Sequence, residues 1–131
     1  MMFSVTLLAP LLWSFYYDDG VALVFFNAFC YTFAAGAVLW ILFRKNRTEM
    51  RIKDGFLVTV LFYLALGSFG SIPFAHVEGI GLSIPDALFE SFSGLTTTGA
   101  TVITGLEHLP KSILFYRQQL QWLGGMGIIV L

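Results

Sequence analysis

Hydrophobic residues in this chain fall into long uninterrupted blocks, not into the alternation of a half-buried strand or the stripe of a surface helix. Val21 to Phe43 carries no charge, and Asn27 is its one strongly polar residue. Gly55 to Phe74 is also uncharged and has Pro73 near its end, where the helix is expected to close. A hydrocarbon core of about 30 Å needs about 20 apolar residues in a helix, so both blocks predict membrane spans. A weaker third span covers Ser112 to Leu131, with Arg117, Gln118, Gln119 and Gln121 crowding its first half. Met1 to Tyr17 is apolar but slightly short. No Lys or Arg precedes it and no small-residue cleavage motif follows, so it reads as a transmembrane helix lacking its natural beginning, not as a signal peptide.

Between the second and third spans the pattern changes. Ser83 suits an N-cap, Pro85 a first turn and Asp86 the positive end of a helix dipole, so a helix is predicted over 85–95. From Pro85 to Gly94 it rises only about 15 Å, half a bilayer. Leu95-Thr96-Thr97-Thr98-Gly99-Ala100-Thr101-Val102 follows, a poor helix former. Non-helical backbone at membrane depth is tolerated only when it lines a cavity or is buried in protein. The segment therefore has the pattern of a re-entrant loop, a short helix down and an extended strand back. A polar external loop that never enters the membrane is the plain alternative. In the re-entrant form the negative end of the half-helix and the oxygens of the strand favour a cation.

Composition and charge narrow the class. Of 131 residues, 57% are hydrophobic and 11% charged, which excludes disorder and an ordinary soluble domain. Seven Lys+Arg against eight Asp+Glu leave no basic surface for nucleic acid. Five of the seven cations (Arg44, Lys45, Arg47, Arg51 and Lys53) lie in one loop, 44–53, which the positive-inside rule puts in the cytoplasm. Asp18, Asp19 and the stretch from Ala75 to Pro110 then face outward, and the sequon Asn46-Arg47-Thr48 has no meaning on the inner face.

Cys30, the single cysteine, reads as a buried packing thiol. Arg117 early in the last helix is either the partner of Glu90, pinning the helix over 85–95, or a snorkelling side chain. If the two pair, exchanging them (Glu90→Arg with Arg117→Glu) is expected to restore folding lost in the single variants. Gly124, Gly125 and Gly127 fit close helix packing better than a nucleotide loop, because they follow no strand. His76 and His108 have no second ligand at metal spacing. Trp13, Trp40 and Trp122 suit interfacial belts or helix packing. Glu78, Asp86, Glu90 and Glu107 form either a cation-concentrating vestibule or ordinary solvated charge. No paired carboxylates, activated nucleophile or phosphate loop point to an enzyme.

Two segments carry a resemblance. Asp86-Ala-Leu-Phe-Glu-Ser-Phe-Ser-Gly-Leu-Thr-Thr-Thr-Gly-Ala-Thr-Val102 and Leu114-Phe-Tyr-Arg-Gln-Gln-Leu-Gln-Trp-Leu-Gly-Gly-Met-Gly-Ile-Ile-Val-Leu131 resemble potassium-uptake proteins of the TrkH/KtrB type. The resemblance runs from about residue 3 to the end, through the Asp18-Asp19-Gly20 turn and the basic loop. It implies an all-α integral membrane fold with one of four pore repeats. Residues 1–45 correspond to two leading transmembrane helices and 46–54 to a basic cytoplasmic loop. Residues 55–131 correspond to the first repeat: helix 55–74, pore helix 85–95, filter strand 96–101 and a second helix from 112.

By the same resemblance Thr97 and Thr98 are the expected potassium-binding residues, mainly through backbone carbonyls. Thr96, Gly99, Ala100 and Thr101 complete the selectivity filter, with Glu90 and Arg117 as pore-helix support. Potassium is the substrate, and no cofactor is implied. The expected partners are the lipid bilayer, a second copy of the full-length protein and a cytoplasmic nucleotide-binding regulatory subunit, with no nucleic acid. The expected location is the bacterial inner membrane, with the filter loop facing outward. One repeat cannot encircle an ion, so the chain reads as an N-terminal fragment. A carrier with a broken-helix ion site and a non-conducting membrane protein with a structural external loop stand as alternatives.

Overall fold

The computed structural model describes residues 2–44, 52–77 and 82–130. Seven α-helices follow in order: α1 Met2–Thr6, α2 Leu8–Tyr17, α3 Ala22–Phe43, α4 Ile52–Gly70, α5 Ile72–His76, α6 Ile84–Leu95 and α7 Lys111–Val130. A single 3-10 turn, Leu106–His108, precedes α7, and no strand occurs among the described residues.

Two prolines shape the helix boundaries. The leading apolar block is two helices and not one, broken at Leu7. Pro10 has no N–H to give the Thr6 carbonyl four residues earlier, so the helical ladder loses a bond there. The amide of Leu7 turns back to the Ser4 carbonyl at 3.1 Å instead. Pro73 does not close α4. The break falls at Ser71, and Pro73 sits in the first turn of α5, where a missing N–H costs nothing.

The stretches Ala22–Leu42 and Lys53–His76 are long and apolar enough to cross a membrane, yet only 17% of the apolar window of each is buried. Leu39, Ile41, Leu42, Phe56, Leu57 and Leu61 are all exposed. Long apolar helices that leave such surface uncovered are built for a membrane or for further protein and not for water, which would penalise it by about 25 cal/mol per Å². Cys30 corrects the sequence reading, for it is exposed. Its neighbours Phe25, Ala28 and Thr32 face inward, and Cys30 lies on the opposite side of α3. An apolar run predicts burial in water but not in a bilayer.

The interior is built around α6. Residues with no Cβ let the neighbouring helices approach it. A Cβ at Gly67 of α4 would overlap the Phe92 ring, and one at Gly70 would fall 2.6 Å from the Ser91 hydroxyl. One at Gly124 of α7 would collide with the carbonyl of Leu95, which is backbone and cannot move aside. Tyr116 fills the centre. Its hydroxyl donates to the Gly70 carbonyl at 2.8 Å, and its ring meets Phe25 and Phe74 at centroid distances of 5.5 and 5.3 Å.

Candidate functional site

α6 starts where its sequence says it should. The Ser83 hydroxyl donates to the Asp86 carboxylate at 2.6 Å and accepts from the Asp86 amide at 3.4 Å. The helix stops at Leu95, because three consecutive threonines and a glycine follow. Thr97 takes φ +57° and Gly99 φ +73°, both left-handed. For a β-branched residue that conformation is an outlier, costing about 1–2 kcal/mol, so the surroundings must impose it.

They do so by tying the returning chain to α6. The amides of Thr98 and Gly99 donate to the Ser93 carbonyl at 3.0 and 3.3 Å, and the Ser93 hydroxyl donates to the Ala100 carbonyl at 2.6 Å. Further along, the Thr101 hydroxyl and the Val102 amide donate to Glu90 Oε1 at 2.5 and 2.7 Å. As the chain advances from 98 to 102 its partners step back from 93 to 90, so the segment runs back alongside the helix it has just left. The other carboxylate oxygen of Glu90 accepts from Arg117 Nε at 3.1 Å. Glu90 is 2% and Arg117 9% exposed. One carboxylate thus joins α6, the returning chain and α7, with three donors and a counter-charge compensating its burial.

These bonds sort the oxygens of the loop. The carbonyl of Ala100 is turned toward Ser93, and the Thr101 hydroxyl is spent on Glu90. The Thr96 carbonyl accepts from the Thr97 hydroxyl at 2.7 Å. Thr96 Oγ1 donates to the Phe92 carbonyl at 2.8 Å and also meets Thr98 Oγ1 at 2.8 Å. The carbonyls of Thr97, Thr98 and Gly99 accept no hydrogen bond among the described residues, and all three residues are exposed. Gly99 is needed for its backbone and not for space, since a Cβ there would meet only the Gln121 amide nitrogen at 3.9 Å.

Of the residues singled out in the sequence, Thr96 to Thr101 form one continuous loop, and Glu90 and Arg117 are in contact behind it. Ser93 and the second pair of bonds to Glu90 escape the sequence reading. Their signal is present, since Glu90 and Ser93 are three apart on one helical face, but its meaning depends on where the chain returns. Glu90 drops out of the acidic vestibule, because its charge is buried and paired. Glu107 remains exposed, and Glu78 lies outside the described residues, as do Lys45, Arg47 and Arg51 of the basic loop. His76 Nδ1 lies 2.9 Å from the Ile72 carbonyl within its own helix. Gly124, Gly125 and Gly127 all sit inside α7. Gly124 packs closest, a Cβ at Gly127 would fall 3.0 Å from the Tyr63 hydroxyl, and Gly125 has ordinary room.

The TrkH family model, described as a cation transport protein, matches residues 22–131. This chain belongs to the TrkH family. Trk system potassium uptake protein TrkH of Vibrio parahaemolyticus is 55% identical over 130 residues, covering 99% of this chain and 27% of that protein. The TrkH protein of Halomonas elongata is 54% identical over 131 residues, covering all of this chain and 27% of its own length. Trk system potassium uptake protein TrkG of Escherichia coli K12 is 37% identical over 130 residues, 99% of this chain and 27% of TrkG. The chain thus spans about a quarter of the length of the curated relatives it matches. Membership of the TrkH family agrees with the long apolar helices in assigning the chain to a membrane.

Proposed function

We propose that this segment supplies one of the filter strands of a potassium-uptake pathway, with Thr97, Thr98 and Gly99 coordinating the ion through their carbonyls. The observation that carries the reading is the set of three carbonyls, on exposed residues just past the C-terminal end of α6, that accept no hydrogen bond among the described residues. A partly dehydrated monovalent cation needs oxygen ligands to replace its water, and carbonyl dipoles supply them without a full charge that would trap it. The end of α6 adds a partial negative charge at the same place. Glu90 and Ser93 hold the strand from behind, so the carbonyls keep their aim when an ion leaves.

The resemblance to TrkH/KtrB-type proteins and the names of the relatives extend this reading. The segment is one of four such repeats, in the inner membrane, with loop 44–53 cytoplasmic and the filter loop outward. A homodimeric full-length protein and a cytoplasmic nucleotide-binding subunit complete it. Its role is transport and not catalysis.

The test uses a graft in which residues 1–131 replace the matching segment of the V. parahaemolyticus relative. Gly99→Ala, which imposes a Cβ on a left-handed residue, is expected to lower rubidium-over-sodium preference at equal membrane abundance. Unchanged relative uptake of the two ions would count against a filter at this loop.

A further inference from the structure

α7 carries two working faces. Arg117, Leu120 and Gly124 meet α6. Ser112, Phe115 and Gln119, spaced three and four residues apart, lie on another side and meet the leading helices and the turn that follows α2 instead. The Ser112 amide, in the first turn of α7, donates to Asp19 Oδ2 at 3.0 Å. The ring of Phe115 stacks on Trp13 at 5.2 Å with 17° between planes. Gln119 Nε2 donates to the Thr6 carbonyl at 2.7 Å. That carbonyl is the one Pro10 leaves without a helical donor, so a defect in the leading helix is matched by a side chain of α7. Lys111 adds a fourth contact, its ammonium 4.4 Å from the centroid of the Tyr17 ring.

We infer that the leading helices α1 and α2, with the turn that follows them, act as a splint that fixes the axial position of α7. Asp19 and Gln119 are positioning residues for ion selection. The inference rests on the filter reading above. Asp19 holds the first turn of α7 by a charge-assisted bond, and Gln119 holds it two turns further along. Between those two anchors lies Arg117, whose guanidinium fixes Glu90, which in turn holds Thr101 and Val102. A slide or rotation of α7 by a fraction of a turn therefore moves the back of the filter, although neither Asp19 nor Gln119 touches the loop.

The experiment measures rubidium-over-sodium preference in the same graft at matched membrane abundance, with Gly99→Ala as the reference. Asp19→Ala and Gln119→Met, which keeps side-chain volume but removes the donor, are each expected to lower the preference by about fivefold, the equivalent of one lost hydrogen bond. Asp19→Asn keeps an oxygen acceptor for the Ser112 amide and is expected to restore the preference to within about twofold. If Gly99→Ala changes the preference while Asp19→Ala and Gln119→Met leave it intact, the splint is wrong and the filter reading stands. If Gly99→Ala is also without effect, the filter reading itself fails. Should Asp19→Ala not accumulate, Gln119→Met decides alone. Failure of both to reach the membrane would mean that the contacts serve insertion only, and would overturn the proposal.

Discussion

α3 and α7 are of similar length, 22 and 20 residues, and solve opposite problems. α3 carries no charge, and most of its apolar window is uncovered. α7 carries Arg117 and three glutamines, and Arg117 and Gln119 reach protein partners in α6 and α1. Among the described residues, the first packs on protein through apolar side chains such as Phe25 and Ala28 alone, the second also through a buried ion pair and a side-chain hydrogen bond. Polarity within a membrane is costly unless paired, so the least apolar helix is the one with the most specific neighbours.

Breaking the internal side should therefore cost most. Arg117→Met leaves the Glu90 carboxylate buried without its counter-charge, an expected loss of about 3–5 kcal/mol, visible as a lower melting temperature of the detergent-solubilised graft. A double variant with Glu90→Gln should recover part of it, because the amide oxygen still accepts from Thr101 and Val102 while the stranded charge is gone. Full additivity of the two losses would mean that the pair does not couple. The sequence alone predicts rescue by charge exchange, but the structure reverses that expectation. An arginine at 90 cannot accept from the Thr101 hydroxyl and the Val102 amide, so Glu90→Arg with Arg117→Glu should remain as impaired as either single variant.

Gly124→Ala comes next. Its methyl group would collide with backbone at Leu95, and forcing α7 from α6 should cost about 1–3 kcal/mol in the same melting experiment. Gly125→Ala has only ordinary contact with the Thr97 side chain and should be much milder. Equal effects at 124 and 125 would contradict the helix contact described here. On the outer side, Leu57→Ala of α4 is expected to stay within about 0.5 kcal/mol, since that side chain is exposed and packs on nothing specific. A loss comparable to Gly124→Ala would show that α4 is covered by protein and not by lipid.

The same contrast explains what could be read in advance. Span-forming blocks, the Ser83 cap and the end of α6 before the threonines are local properties, and each is written in adjacent residues. Arg117 with Glu90 was accessible because two charges in an apolar chain have few other choices. The bonds from Ser93 and Glu90 to residues 98–102 were not, since they need the path of the returning chain. Nor was the break at Leu7, because Pro10 looks tolerable so close to a helix start until the partner of the freed Thr6 carbonyl is known. Cys30 misled for a different reason: burial and hydrophobicity part company in a bilayer, where the apolar surface of α3 is the outer one.

Everything functional turns on the carbonyls of Thr97, Thr98 and Gly99 meeting an ion. Rubidium, an electron-dense stand-in for potassium, can be located by its anomalous scattering in crystals of the graft. The account predicts rubidium peaks within coordination distance of those three carbonyls and a loss of occupancy there in Gly99→Ala. Rubidium found elsewhere along the pathway, with these carbonyls bonded to protein, would contradict it.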